Sequence, residues 1–389
     1  MVEVDVSRMY MEPTPEPFPL DQLRHMARSA AASVVTGALF LSLGLGFGRS
    51  IPDESSHRQT AAVATALPAK TKKEPCAIVP QSNIRFAQEA YARAPSEISR
   101  YAQYDQSFET FEQKQDRIIS AIAHDNALTV VPYAPFTKKL WQGEPNIERD
   151  FALTKADAKR YYDVDISPLA QRVDGVDGDG NVISINPFDR MKNTDNTAFK
   201  VRVALDGIIH RLHRYPVEFV RMIGLKSIKL GTGDGATGLA ETDKGIVNVD
   251  VVSAAIVLDH EVSHVANHAA CDGHSDDDPG FSALNPAGFS YVEMKSTVTS
   301  PSVEKALEDS APALEEKSFT YSEYGKTNVA EDEADEGARL IGGRSYEILR
   351  SRSAIVKEKL FYLAGRMAGT DLGKRLVRYF ALLNAVHDE

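Results

Sequence analysis

Two cysteines, a single tryptophan and no surplus of positive charge are what this chain has little of. Each shortage closes a class of function. Cys76 and Cys271 are too few and too far apart for a disulfide framework or a cysteine-ligated zinc site. They read as two independent thiols, with one disulfide the alternative in an oxidising compartment. A formal net charge of −11, without a Lys/Arg stripe or zinc-finger spacing, excludes a general nucleic-acid binder. A calcium loop is also missing. In VDGVDGDGNVISINP (173–187), placing Gly180 at the turn position puts Gly175 first and Asn186 twelfth, where carboxylates are required. The segment reads instead as a Gly/Asp hairpin turn leading into a strand at 182–185. GTGDGATG (231–238) lacks the Gly-Lys-Ser/Thr ending of a phosphate loop and reads as a turn.

Residues 1–28 are polar and proline-dotted and read as a disordered head. Residues 29–48 carry no charge, and as a helix would span about 30 Å, the thickness of a bilayer's hydrocarbon core. They read as a membrane anchor. The alternatives are a cleaved signal peptide, for which no small-x-small site directly follows Gly48, and a buried helix. Arg24 and Arg28 on one side are matched by Arg49 and Arg58 on the other, so the positive-inside rule gives a tie. Residues 49–80 read as a flexible linker. Residues 81–194 read as a helical block of no assigned chemistry, with a short β-type run at 129–133. Helices are expected at 197–213 and 217–223, and strands at 227–230 and 245–251. In the second strand Val247, Val249 and Val251 alternate with Ile246, Asn248 and Asp250. Ser253 is placed to cap the helix that follows.

That helix contains His260-Glu261-Val262-Ser263-His264. Residues four apart share one helical face, so both imidazoles can reach one zinc ion. Glu261 falls where a carboxylate can touch a water on the metal without ligating it. A random chain of this length carries the pattern about once or twice in a hundred, so context must decide. The preceding strand and turn and the helix's amphipathic character agree with a metal site. A metzincin is excluded, because Asn267 and Ala270 stand where that class needs glycine and histidine. His268 reads as a helix-end histidine, with a place in the cleft as the alternative. An intramembrane protease is disfavoured, since Asp259, Asn267 and His268 interrupt any long apolar run.

A third ligand is needed, and the acid-rich run 320–341 offers it. Glu331 and Asp335 are four apart on one face: Glu331 is read as the ligand, and Asp335 as the carboxylate that orients a ligand histidine. Asp332, Glu333 and Asp335 are the alternatives for the ligand, and a solvated acidic helix start is the bland reading.

The stretch Tyr324-Gly-Lys-Thr-Asn-Val-Ala-Glu331 resembles the gluzincin metallopeptidases, in particular the catalytic domain of anthrax lethal factor. There HExxH is followed by Tyr-Gly-x-Thr-Asn-x-x-Glu. ALNPAGFSY (283–291), followed at a distance by Glu-Asp-x-Ala-Asp, is similar to bacterial zinc-binding metallopeptidases. The resemblance spans roughly residues 228–341, and only the two motif blocks are specific. It implies Glu331 as third zinc ligand and Tyr324 as hydrogen-bond donor to the transition state. The chain departs from the pattern in a polar insert at 292–318 and in Val329, which replaces an acidic residue.

The expectation is an α+β chain, with a zincin-like domain at 195–389 built from an HExxH helix and a small mixed sheet. Its function is hydrolysis of peptide or protein substrates by a zinc-activated water, with Glu261 as general base. The ligands are His260, His264 and Glu331. The chain is membrane-anchored, with its catalytic domain outside the cytoplasm. The alternative is a catalytically silent, membrane-tethered binding module with a structural zinc site closed by a fourth ligand, His268 or Asp332.

Overall fold

Four short strands form the sheet beside which the candidate site is built. The computed structural model describes residues 76–102, 110–169, 171–176, 182–185, 197–231, 238–251, 253–271, 273, 278–291, 318–322 and 324–386. The expected head, the anchor at 29–48, the linker as far as residue 75 and most of the polar insert lie outside them. Among the described residues no helix is long and apolar enough to cross a membrane.

The elements run in the order α1 (Gln81–Ala102), α2 (Phe111–Asp125), α3 (Ala134–Leu140), α4 (Ile147–Tyr162), β1 (Asp165–Pro168), β2 (Gln171–Val176) and β3 (Val182–Ile185). Then follow α5 (Thr197–Arg214), α6 (Val217–Ile223), β4 (Ser227–Gly231), β5 (Gly238–Glu241), β6 (Ile246–Asp250) and α7 (Ala254–Ala270). Among the described residues the remaining helices are α8 (Pro279–Ser282), α9 (Val329–Ile341), α10 (Ser345–Leu349), α11 (Ala354–Met367) and α12 (Asp371–Val386). The chain is α+β, mostly helical, with one small mixed sheet in the order β1-β4-β6-β5. β1, β4 and β6 run parallel, and β5 pairs antiparallel with β6 at the edge. β2 and β3 form a separate antiparallel hairpin.

Residues on both sides of position 195 build one sheet and one core. β1 pairs with β4, α4 packs on α5, and α1 lies along α11 and α12. A single apolar cluster runs from Ala87 to Leu383. β6 is covered on both of its alternating faces. Flanked by β4 and β5 and packed on α7, it buries Asn248 and Asp250 as well as Val247 and Val249. Asn248 meets this cost partly by donating a hydrogen bond to the Leu239 carbonyl, 3.3 Å away.

Three local expectations are corrected. Residues 129–133 form no strand: Val217 N–H donates to the Thr129 carbonyl, Thr129 N–H and Oγ1 both donate to Glu218 of α6, and Tyr133 N–H donates to Asp116 of α2. Ser253 occupies the N-cap of α7, but with φ −111° and ψ 0° its backbone is helical and not extended, and its side chain makes no capping hydrogen bond. Cys76 and Cys271 are joined in a disulfide across 195 residues of chain, which ties the segment before α1 to the C-cap of α7.

The acidic run is not a solvated helix start either. α9 is capped by Asn328, whose side chain accepts the Glu331 N–H at 2.9 Å, and its carboxylates turn inward. Asp332 meets Lys359 at 2.6 Å, both side chains fully buried, and accepts the Tyr291 hydroxyl at 2.9 Å. Glu333 pairs with Arg366, which also binds Asp278. Glu336 is fully buried, and burial raises its carboxyl well above the ordinary range. Removing one member of a buried pair strands the other charge at a cost of about 3–5 kcal/mol. Asp332→Ala should therefore lower the thermal midpoint by many degrees. Asp332→Leu combined with Lys359→Met should recover most of the loss. A single variant as stable as the parent in a melting experiment would contradict the pairing.

Candidate metal centre

α7 carries His260, Glu261 and His264, and its position is set by the packing around them. Val257, Leu258, Val262 and Val265 are buried against the core, while the opposite face meets α9. The two helices come close at Gly337, where an added Cβ would lie 3.0 Å from the Ser263 side chain. That approach is what lets Glu331 and Asp335 reach across to α7.

His260 Nε2, His264 Nε2 and Glu331 Oε2 converge. The separations are 3.0 Å from His260 to Glu331, 3.2 Å from His264 to Glu331 and 3.2 Å between the two imidazoles. Tetrahedral donors around a zinc ion at 2.0–2.1 Å lie about 3.3 Å apart, so the trio matches one face of such a tetrahedron. The donor chemistry fits as well, with two imidazole nitrogens and one carboxylate oxygen. His260 Nδ1 lies 3.0 Å from Asp335 Oδ1. An Nδ1–H donated there leaves the Nε2 lone pair facing the cluster.

The local field favours a cation. Burial works against a charged His260, yet its hydrogen bonds to Asp335 and Glu331 prevail and carry its pKa up to about 10. Burial likewise opposes ionisation of Glu331, but the hydrogen bonds to His260 and His264 hold its carboxyl well below the usual range. Glu261 behaves differently. It is buried beside the cluster without joining it, and desolvation raises its pKa against the pull of both imidazoles. Tyr324 stands above His260, with ring centroids 5.8 Å apart. Burial and the neighbouring Glu331 raise its pKa, so the phenol keeps its proton.

All six residues singled out from the sequence thus lie at or beside one cluster: His260, His264 and Glu331 in it, Asp335 behind it, and Glu261 and Tyr324 at its mouth. The mouth opens into a cleft of about 400 Å³, whose wall includes Gly238, Leu239, Ala240, Glu261 and Tyr324. Asp332 and Glu333 point away from the cluster to Lys359 and Arg366. His268 sits in the last turn of α7 and is not part of the cluster. One residue escaped the sequence reading. Gly238, taken there for the end of a turn, opens the edge strand beneath Glu261, and a Cβ on it would stand 2.2 Å from the Glu261 carboxylate. Only the glycine itself marked the position. Compared with protein-family models, curated proteins and solved structures, the chain matches none, so the reading of this site rests on its geometry.

Proposed function

We propose that the chain is a zinc metallopeptidase of the gluzincin type, with a zincin-like active site. The observation that carries this reading is the convergence of two Nε2 atoms and one carboxylate oxygen within 3.2 Å, beside a buried glutamate that stays outside the cluster. His260, His264 and Glu331 would hold the zinc ion. A zinc ion in such a setting supplies a Lewis acid that acidifies water and polarises a carbonyl oxygen.

The chain's own residues do the remaining work. Glu261 takes a proton from the attacking water as the new C–O bond forms. It later delivers that proton to the amine nitrogen as the C–N bond breaks. Its burial beside the cluster holds the carboxylate where it can reach that water. Tyr324, still protonated, donates a hydrogen bond to the oxyanion that develops on the carbonyl oxygen. β5 is the edge strand beside the cleft, so an extended peptide can pair with it and bring its carbonyl over the cluster.

A silent binding module with a structural zinc would need a fourth protein ligand. Of the two residues proposed for that role, Asp332 is held by Lys359 and Tyr291, and His268 lies outside the cluster. The three-donor set therefore favours an open site. The Cys76–Cys271 disulfide supports an oxidising compartment, in keeping with a catalytic domain held outside the cytoplasm by an anchor at 29–48.

The test is hydrolysis of an unfolded polypeptide. The purified chain should cleave it, a chelator should abolish cleavage, and stoichiometric zinc should restore it. Cleavage that survives complete removal of metal would contradict the proposal.

A further inference from the structure

Asp335 has two carboxylate oxygens, and only one faces His260. The other, Oδ2, accepts a hydrogen bond from the Ser322 hydroxyl. The same hydroxyl oxygen accepts the Gly325 N–H at 3.1 Å. Ser322 is buried, and its carbonyl is itself held by the Thr320 hydroxyl at 2.8 Å. Gly325 directly follows Tyr324 in the one-turn helix Tyr324–Lys326. It packs so closely that a Cβ there would lie 3.2 Å from Asp335 Oδ2. One hydroxyl thus joins the carboxylate that orients a histidine of the cluster to the turn that presents the tyrosine.

We infer that Ser322 is a positioning residue. It fixes the orientation of His260 through Asp335 and, through Gly325, the placement of the Tyr324 phenol, so that the metal site and the oxyanion donor are set by a single group. This rests on the zinc-peptidase reading above, and two physical points carry it. A serine oxygen can donate one hydrogen bond and accept others at once, which is what bridging a carboxylate and an N–H requires. Both partners are buried or half-buried, where an unmade hydrogen bond is costly enough to enforce the geometry.

The experiment compares the full chain with Ser322→Ala, Tyr324→Phe and the double variant. It reads zinc affinity by competition with a chromogenic chelator, and kcat and KM on a peptide. Ser322→Ala should weaken zinc binding about tenfold, the low end for groups that act through a ligand's orienting partner. Tyr324→Phe should leave zinc affinity unchanged. Ser322→Ala should lower kcat with little change in KM, and the double variant should lose less than the product of the two single losses, since part of each change removes the same contribution. Should Ser322→Ala fail to fold, Ser322→Cys keeps the volume with a much weaker donor, and carries the same expectation. Unchanged zinc affinity, or kcat losses that multiply in the double variant, would overturn the role of Ser322 and leave the peptidase reading intact. A parent chain that binds no zinc would overturn both.

Discussion

Glu331→Ala should strip the chain of zinc or weaken its binding by orders of magnitude, while the protein stays folded. Glu331 supplies one of three converging donors, and the only anion among them. Its loss leaves two imidazoles, a set too small to hold zinc tightly. Its side chain is partly exposed at the mouth of the cleft, unlike the buried carboxylates that follow it, so removing it should cost little stability. Asp335→Ala should do less, about a 10- to 100-fold loss of affinity, because Asp335 touches His260 Nδ1 and not the metal position. Zinc titrations of the two variants and the parent separate these roles. Asp332→Ala is the informative contrast. It should lower stability through Lys359, and metal content should fall only where the fold itself is lost. An Asp332→Ala chain that folds without zinc, beside a Glu331→Ala chain that keeps it, would reassign the third ligand.

Glu261→Gln should have the opposite signature, with metal retained and hydrolysis lost. Glu261 lies on the same turn as His260 but stays outside the group of converging donors. Glutamine is nearly isosteric and keeps the contact with Gly238, yet it cannot accept the proton of the attacking water. General-base contributions are commonly worth about 10² to 10⁴ in rate. The expected result is therefore a zinc-loaded, normally stable protein with kcat lowered by about that factor. A Glu261→Gln variant with parental turnover would remove Glu261 from the mechanism.

Much of this site could be read from sequence because its residues are coupled by helical periodicity. His260 and His264 are one turn apart, as are Glu331 and Asp335, and each pair must share a face wherever its helix packs. The helices α5 and α6 and the strands β4 and β6 could likewise be read, from local apolar spacing and turn residues. What sequence did not reveal depends on partners far away along the chain. Asp332 and Glu333 look solvated until α11 brings Lys359 and Arg366 against them, 27 and 33 residues later. Cys76 finds Cys271 only because the segment before α1 returns to the end of α7. Residues 129–133 have strand-like composition, but the hydrogen bonds that set their course run from Thr129 to α6 and from Tyr133 to Asp116 of α2, both distant in sequence. Gly238 and Ser322 belong to segments with no periodicity at all, so only the packed structure reveals what they touch.

A zinc ion held by His260, His264 and Glu331 would be visible in its own coordination shell. X-ray absorption at the zinc edge, on folded protein never exposed to chelator, tests it most directly. About one zinc per chain is expected, in a shell of nitrogen and oxygen donors at about 2.0–2.1 Å, two of them imidazole, with no sulfur. A folded chain without tightly bound zinc, or a shell containing sulfur, would contradict it.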